Sequence, residues 1–286
     1  MKKSMDNTTY NKALAIVLIV NPQNKDFYWP FGQFSEFKKK FPIFIFSNSD
    51  DFEAKNAAVK SFGAGNFTYR NLRTSNSQLT LKALDEVFSS GFERAFFIDC
   101  RTLLDNFAFH LLSPVCTYLE SQHPQVGAVQ FWNFNLNFND SPSNELCYTG
   151  DDLYAVCIFK KCWDAISSEC RRYCDLIDDF GPEASEIRTM LSEIPHGSLP
   201  LAEHYEKHVF EGNSTGWNVL LHRLMVSKNF MRVCFSRNRA RRVNYDRSEP
   251  GEPTKPEINP SYGSLADKFI ESFILNENRN QLLKRK

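Results

Sequence analysis

The feature that most constrains the fold is an uninterrupted apolar run, Ala13–Val20, with the sequence ALAIVLIV. Consecutive apolar residues rich in Ile and Val are typical of a strand buried on both faces, as in parallel sheets covered by helices. Similar runs recur within Pro42–Phe46 and Arg94–Asp99, at intervals that leave room for helices. None of these runs reaches the roughly 20 residues that a membrane-spanning helix needs, so we expect no transmembrane segment.

The rest of the chain repeats this alternation of strands and helices. It predicts an α/β fold with a mostly parallel central sheet flanked by helices, followed by a less regular C-terminal half. In such a sheet, ligands bind beyond the carboxyl ends of the strands. The predicted strands are Ala13–Val20, Pro42–Phe46, Asn66–Tyr69, Arg94–Asp99, Val126–Trp132, Tyr154–Phe159 and Met231–Phe235. The predicted helices are Phe34–Lys40, Asp51–Phe62, Ser75 or Asn76 to about Ser89, Leu104–Ser121, Lys161–Cys174, Pro182–Ile194, Trp217–Val226 and Ser264–Lys284.

Charge and cysteine content narrow the possible partners and the compartment. The formal net charge is zero, which argues against a general nucleic-acid-binding surface. A basic cluster near the C-terminus lacks the interleaved aromatic residues of a nucleic-acid module, so it fits a solvated face or a site for a diphosphate or an acidic acceptor. The eight cysteines are scattered without a Cys-x-x-Cys pair, which favours free thiols in a reducing, cytoplasmic setting. The arginines of that cluster are Arg237, Arg239, Arg241, Arg242 and Arg247.

Short polar segments at the predicted strand ends occur in an order that resembles one enzyme family. Together they resemble glycosyltransferases with the GT-A fold, especially those of family 2, from Ala13 to about Gly251. The segments are Val20–Asn24, Ser47–Asp50, Asn71, Phe96–Arg101, Thr149–Asp152, Gly216–Asn218 with Arg223, and Arg242–Asp246. Phe96–Arg101 falls where that family places its metal-binding Asp-x-Asp motif.

This resemblance implies a fold, a reaction and partners. It implies one GT-A (Rossmann-like) domain over residues 1–260, with a nucleotide-sugar half at about 12–135 and an acceptor half at about 136–260. Residues 261–286 would form a C-terminal helix. The implied enzyme is a hexosyltransferase of glycan biosynthesis, with a UDP-sugar as the first choice of donor and a glycan, lipid-linked or protein hydroxyl as acceptor. It would be cytoplasmic, with peripheral association with a membrane left open.

The resemblance also assigns residues by position. Asp99 would hold a divalent cation, Mn²⁺ or Mg²⁺. The residues implied to bind the nucleotide sugar are Asn21, Pro22, Ser47, Asn48, Asp50, Asn71, Asp99, Arg101, Asn218 and Arg242.

Three of these positions depart from the family pattern. Ser47 stands where an acid would bind the base, Arg101 replaces the second metal carboxylate, and Asn218 replaces an expected catalytic acid. An amide takes up no proton near neutral pH, so Asn218 cannot be a general base. Arg101 would repel a divalent ion but can pair with a diphosphate directly. Two hypotheses follow: a metal-independent transferase, or a catalytically inactive binding or scaffold protein with the same fold.

The remaining candidates for a general base are the acids Asp151, Asp152 and Glu211. Asp151 and Asp152 rank first because they follow Gly150 and precede a predicted strand. The alternative is a turn or capping role, which is the commonest use of Asp beside Gly. A nucleotidyltransferase is a third hypothesis, whereas the absence of a Gly-rich phosphate loop counts against kinases and dehydrogenases.

Overall fold

The computed structural model describes residues 12–20, 29–34, 40–48, 50, 52–99, 102–104, 106–131, 145–148, 155–197, 216–235, 240–242 and 274–280. The strands are β1 (Ala15–Val20), β2 (Ile43–Ser47), β3 (Thr68–Asn71), β4 (Arg94–Asp99), β5 (Thr102–Leu104), β6 (Val126–Gln130), β7 (Glu145–Tyr148), β8 (Val156–Phe159), β9 (Met231–Phe235), β10 (Ala240–Arg242) and β11 (Ile274–Asn280). The α-helices are α1 (Phe52–Phe62), α2 (Asn76–Ser89), α3 (Asn106–Gln122), α4 (Lys160–Phe180), α5 (Ser185–Glu193) and α6 (Trp217–Ser227). A 3₁₀ helix, Trp29–Phe34, lies between β1 and β2.

Nine of these strands form one sheet in the order β11-β7-β9-β6-β8-β4-β1-β2-β3. The pairs among β1, β2, β3 and β4 are all parallel, whereas β8 runs antiparallel to both of its neighbours, β4 and β6. Strands β5 and β10 form a separate antiparallel pair. The predicted α/β fold with a mostly parallel sheet is therefore confirmed.

Strand β1 shows why its sequence is apolar at every position. Ile16, Leu18 and Val20 belong to the core on one face of the sheet, with residues of the 3₁₀ helix, α1 and α3. Ala15 and Val17 belong to the core on the other face, with residues of α2, α4, α5 and α6. Because helices cover both faces of this strand, a sequence that alternated apolar and polar residues would bury polar side chains on one face. None of the helices in these ranges has the length and hydrophobicity that a membrane span requires.

The structure departs from the predicted elements at several places. The predicted C-terminal helix is wrong for Ile274–Asn280, which forms β11 and pairs in parallel with β7. A helical pattern was the only local signal there, and pairing with a strand far away in sequence overrides such a signal. The short strands β5, β7 and β10 were not predicted. Helix α5 begins at Ser185 instead of Pro182, and the 3₁₀ helix ends at Phe34, where an α-helix was expected to begin.

Candidate functional site

The strand order reverses at β1, which lies between β2 and β4. Strands β2 and β3 extend the sheet on one side of β1, and β4 begins the other side. In open α/β sheets, ligands bind outside the carboxyl ends of the strands at such a reversal. The candidate site is therefore the sheet edge at which β1, β2, β3 and β4 end, which we call the carboxyl edge.

The backbone register brings several predicted donor-binding residues to the carboxyl edge. Ser47 of β2 is paired with Val20 of β1 and with Asn71 of β3. Asp99, the last residue of β4, is paired with Ile19 of β1. The ends of three separate strands thus lie along one edge, and each end carries a residue that the resemblance assigns to the nucleotide sugar.

The antiparallel pair β5–β10 adds Arg242 to this region. Arg242 is paired with Thr102, and Ala240 is paired with Leu104. Thr102 follows Asp99 by only three residues, so the register places the backbone of Arg242 close to the chain that leaves β4. No local pattern predicts that Arg242 lies near the end of β4, because β5 and β10 are three residues long and far apart in the chain.

Gln33 is a residue of this region that the sequence reasoning missed. Its Nε2 donates to the carbonyl oxygen of Thr102 (2.9 Å) and its Oε1 accepts from the backbone N–H of Leu104 (2.8 Å). Gln33 is buried, with 7% of its surface exposed. A usable signal was present: Gln33 is the only amide in an otherwise apolar or glycine-containing segment, Trp29–Phe34.

The residues at the end of β2 are more enclosed than a solvent-facing binding turn would be. Ser47 is fully buried. Asn48 Nδ2 donates to Asn76 Oδ1 at 2.6 Å, which connects the end of β2 to the first turn of α2. The Oδ1 atom of Asn48 is shielded from solvent and has no hydrogen-bond partner within the described ranges. Asp50, two residues further on, is exposed.

The side chain of Asn71 has a structural role at the end of β3. Its Oδ1 accepts a hydrogen bond from the backbone N–H of Arg73 at 3.0 Å. This is the Asx turn that asparagine commonly forms after a strand. Arg73 itself has a φ of 45°, a left-handed conformation that is uncommon for arginine. The oxygen of Asn71 is therefore already used to shape the loop between β3 and α2.

Asn218 lies at the start of α6, which follows Gly216. The ring of Trp217 packs edge-on against Phe97 of β4, with the ring centroids 5.6 Å apart. Because Phe97 is only two residues before Asp99, this contact places the amino end of α6 near the carboxyl edge. The contact between these two aromatic rings thus holds the first turn of α6, which carries Asn218, beside the end of β4.

Other predicted site residues lie outside the described residues. They are Asn21, Pro22, Arg101, Asp151, Asp152 and Glu211. Their assignments remain predictions from the sequence.

A divalent cation at the carboxyl edge would need more oxygen ligands than Asp99 alone can provide. Such ions are held by several oxygen ligands, usually including more than one carboxylate. Within the described ranges, no group of three His, Cys, Asp or Glu side chains is arranged to hold a metal ion. Asp99 is the acid at the end of β4, and the sequence places Arg101 two residues beyond it, with Arg242 paired to Thr102. Arginines at these positions would suit the negative charge of a phosphate better than a divalent cation, which they would repel.

No protein-family model matches the chain, and a comparison with curated proteins found no significant match. Similar solved structures include a mannosyltransferase from Pyrobaculum calidifontis in complex with GDP-Man and Mn²⁺, at 11% identity and a TM-score of 0.39, covering 75% of this chain and 69% of that one.

Two further similar structures are also glycosyltransferases. GlyE from Streptococcus pneumoniae TIGR4 has 9% identity and a TM-score of 0.32, and the match covers 90% of this chain and 62% of that one. A glycosyltransferase involved in glycosylation of the major capsid of PBCV-1 has 8% identity and a TM-score of 0.30, with coverage of 60% and 70%. All three TM-scores are low, so these similarities carry no argument about activity, and the α/β assignment rests on the sheet itself.

Proposed function

We propose that the chain is a glycosyltransferase that moves a sugar from a nucleotide-diphosphate donor, with a UDP-sugar as the first candidate, to a hydroxyl acceptor. The observation that carries this proposal is the convergence at the carboxyl edge. The ends of β2, β3 and β4 lie beside the strand-order reversal, and Arg242 is paired with Thr102 next to the exit of β4. A crevice at such a reversal is the usual place for a nucleotide in an α/β sheet.

In this proposal, arginine side chains compensate the charge of the departing diphosphate. Arg101 directly precedes Thr102 in the chain, and Arg242 is paired with Thr102 across the β5–β10 pair. A guanidinium donates two parallel hydrogen bonds to phosphate oxygens and stays charged at all physiological pH values. Charge stabilisation of the leaving group is the main requirement for transfer from a nucleotide sugar. Asp99 would orient the donor between these two positive charges.

The base and ribose of the donor would bind at the ends of β2 and β3. Asn48 supports this assignment, because its buried Oδ1 lacks a partner within the described ranges and can accept an N–H from a ligand. Asn71 would act indirectly, since its Oδ1 holds the turn at Arg73. Ser47 is fully buried and supports the strand end from within.

The acceptor would bind beside the segment that connects β6 and β8. The backbone N–H of Phe131 donates to the carbonyl oxygen of Ala155 at 2.9 Å, which closes the two ends of this segment at the carboxyl edge. Asp151 and Asp152 lie in this segment, shortly before Ala155. We propose one of them as the base that takes the proton from the acceptor hydroxyl, with Glu211 as the alternative.

The proposal extends to the domain and the compartment. Residues 12–135 would form the nucleotide-sugar half and residues 136–260 the acceptor half of one domain. Six cysteines in the described ranges form no disulfide and are buried (Cys116, Cys157, Cys162, Cys170, Cys174 and Cys234), which supports a reducing, cytoplasmic setting.

A non-catalytic binding protein is the second candidate. Two observations favour it: Ser47 is fully buried, and the oxygen of Asn71 is engaged within the chain. Two positions assigned to the nucleotide are thus committed to the fold itself. Such a protein would use the carboxyl edge to bind a nucleotide or glycan without turnover.

A binding screen followed by a turnover assay tests both candidates. The melting temperature is measured with UDP, GDP, CMP and their sugar conjugates, with and without Mn²⁺, because a ligand of the native state raises it by mass action. A nucleotide-specific rise supports a nucleotide site, and release of UDP from the donor then distinguishes the transferase from the non-catalytic protein. The absence of any rise would contradict the proposed function.

A further inference from the structure

The Gln33 side chain fills the place of a third strand beside β5. Its carboxamide donates to the carbonyl oxygen of Thr102 and accepts from the N–H of Leu104, which are the two backbone groups that an adjacent strand would use. Arg242 and Ala240 pair with the same two residues across the β5–β10 pair. Residues Thr102–Leu104 are therefore held from β10 and by a single side chain from the 3₁₀ helix.

The 3₁₀ helix that carries Gln33 is fixed in the core. Phe31 and Phe34, on either side of Gln33, have at most 1% of their surface exposed and belong to the same core cluster as Leu104. The ring of Phe31 packs against Phe62 of α1, with centroids 5.9 Å apart. The position of Gln33 is thus determined by aromatic packing, and little rotational freedom is left for its amide.

Only two residues separate the end of β4 from the start of β5, and Arg101 is one of them. The parallel sheet fixes the first end at Asp99, and Gln33 with β10 fixes the second end at Thr102. From this geometry we infer that Gln33 is a positioning residue, which holds β5, and through it the paired strand β10 with Arg242, beside the end of β4, where the nucleotide diphosphate is proposed to bind. The inference rests on the function proposed above.

The chemistry of the amide is specific to this role. One end of the side chain must donate and the other must accept, and glutamine does both. A methionine of similar length would keep the packing but lose both hydrogen bonds. A glutamate carboxylate would keep an acceptor for Leu104 N–H but would have no donor for Thr102, so two oxygens would face each other.

The test compares Gln33→Met and Gln33→Glu with the intact full-length chain. We expect both variants to bind UDP at least about tenfold more weakly, as loss of a positioned phosphate site would produce. We also expect faster hydrogen exchange at the Leu104 amide, because that N–H loses its partner. If turnover is measurable, the donor KM should rise by more than kcat falls, since the acceptor base is unaffected.

Glu120→Ala is the control for a general loss of stability, because Glu120 lies near the opposite edge of the sheet, where it pairs with Arg94. We expect Glu120→Ala to lower the melting temperature about as much as the Gln33 variants do. Its affinity for UDP should nevertheless equal that of the original chain. If the original chain binds UDP and Gln33→Met and Gln33→Glu bind it equally well, the inference about Gln33 is wrong while the proposed function stands. If the original chain binds no nucleotide at all, both are wrong.

Discussion

Arg94 and Glu120 form a partly buried ion pair at the amino end of β4, opposite the candidate site. Arg94 Nε donates to Glu120 Oε2 at 2.9 Å, its Nη2 donates to the same oxygen, and Nη2 also reaches Thr117 Oγ1 at 3.1 Å. The Arg94 side chain has 11% of its surface exposed and that of Glu120 has 28%. The carboxylate of Glu120 therefore stabilises the positive charge of Arg94 in a place where water has little access.

We expect Glu120→Ala to lower the free energy of unfolding by about 2 kcal/mol, because it leaves a poorly solvated guanidinium without its partner. Asp164→Ala is the matched control. Asp164 pairs with Lys160 on α4, but 56% of its side chain is exposed, so its loss should cost only about 0.5 kcal/mol or less. Urea unfolding of both variants measures the difference. Equal losses would show that burial does not strengthen the Arg94–Glu120 pair.

Gly197 offers a test of backbone geometry. It has a φ of +71°, and a Cβ at this position would lie 2.1 Å from the carbonyl oxygen of Val226. We expect Gly197→Ala to destabilise the protein by about 2 kcal/mol or more, since both the conformation and the space exclude a side chain. The comparison is Gly65→Ala, with a φ of +87° and nothing within 4 Å of its Cβ position.

Because Gly65→Ala keeps the unfavourable φ but meets no atoms, its cost should be about 1 kcal/mol. The difference between the two variants, measured by denaturant unfolding, isolates the contact with Val226. A smaller loss for Gly197→Ala than for Gly65→Ala would mean that the chain near residue 197 moves away from Val226 easily.

Arg101 is the most direct test of the proposed phosphate site. If its guanidinium compensates the diphosphate, Arg101→Asp should weaken UDP binding without metal by at least about a hundredfold, because attraction is replaced by repulsion. Arg172→Asp is the control, since Arg172 lies on α4 with 60% of its side chain exposed. Isothermal titration calorimetry of both variants gives the answer, and unchanged affinity in Arg101→Asp would remove this residue from the site.

The general base can be identified by separating turnover from binding. Replacing the base among Asp151, Asp152 and Glu211 by its amide should lower kcat by about a hundredfold or more while UDP affinity stays the same. The other two replacements should leave kcat nearly unchanged. Steady-state release of UDP from the donor, measured for Asp151→Asn, Asp152→Asn and Glu211→Gln, makes the comparison. If all three retain full turnover, none of them is the base.

The lowered pKa of the Asp178 carboxyl leads us to expect a small dependence of stability on pH. Hydrogen bonds from Gln78 Nε2 and Lys82 Nζ, at 2.8 Å and 3.0 Å, hold the pKa of its carboxyl below the ordinary value of 3.8. Because the pKa is lower in the folded state, the stabilisation is present above pH 3.8 and is lost as the pH falls through the folded-state pKa. The melting temperature of Asp178→Asn should thus decrease less in this acidic range. The effect is small, because 57% of the side chain is exposed.

The main sheet could be predicted because its signals are local. Ala13–Val20 has apolar residues for both faces of β1, and Gly63, with a φ of +80°, ends α1 as expected. Ser75, one of the two residues predicted to begin α2, is its N-cap, and Gln78 Oε1 accepts the backbone N–H of Ser75. Each of these features depends on residues a few positions apart, which is the range over which sequence patterns are informative.

The elements that were missed depend on contacts far apart in the chain. Strands β5 and β10 consist of three residues each. They form by pairing with each other, as in the pair Thr102 and Arg242, and not from a local pattern. Gln33 contributes through Thr102 and Leu104, about 70 positions away, which no local pattern indicates. The same limit applies to Asn71: the sequence located it at a strand end, but only the structure shows its oxygen bonded to Arg73 N–H.

The position of β11 affects the order in which the strands can pair while the protein is being synthesised. β1–β4 pair with one another, and all of them lie within the first 99 residues. On a ribosome, where N-terminal segments emerge and fold first, this part of the sheet has all its strands well before β11 is made. β11 is the last described element to emerge, and its partner β7 has to wait for it with one edge unpaired. That edge is where a nascent chain would be most exposed to pairing with the wrong strand.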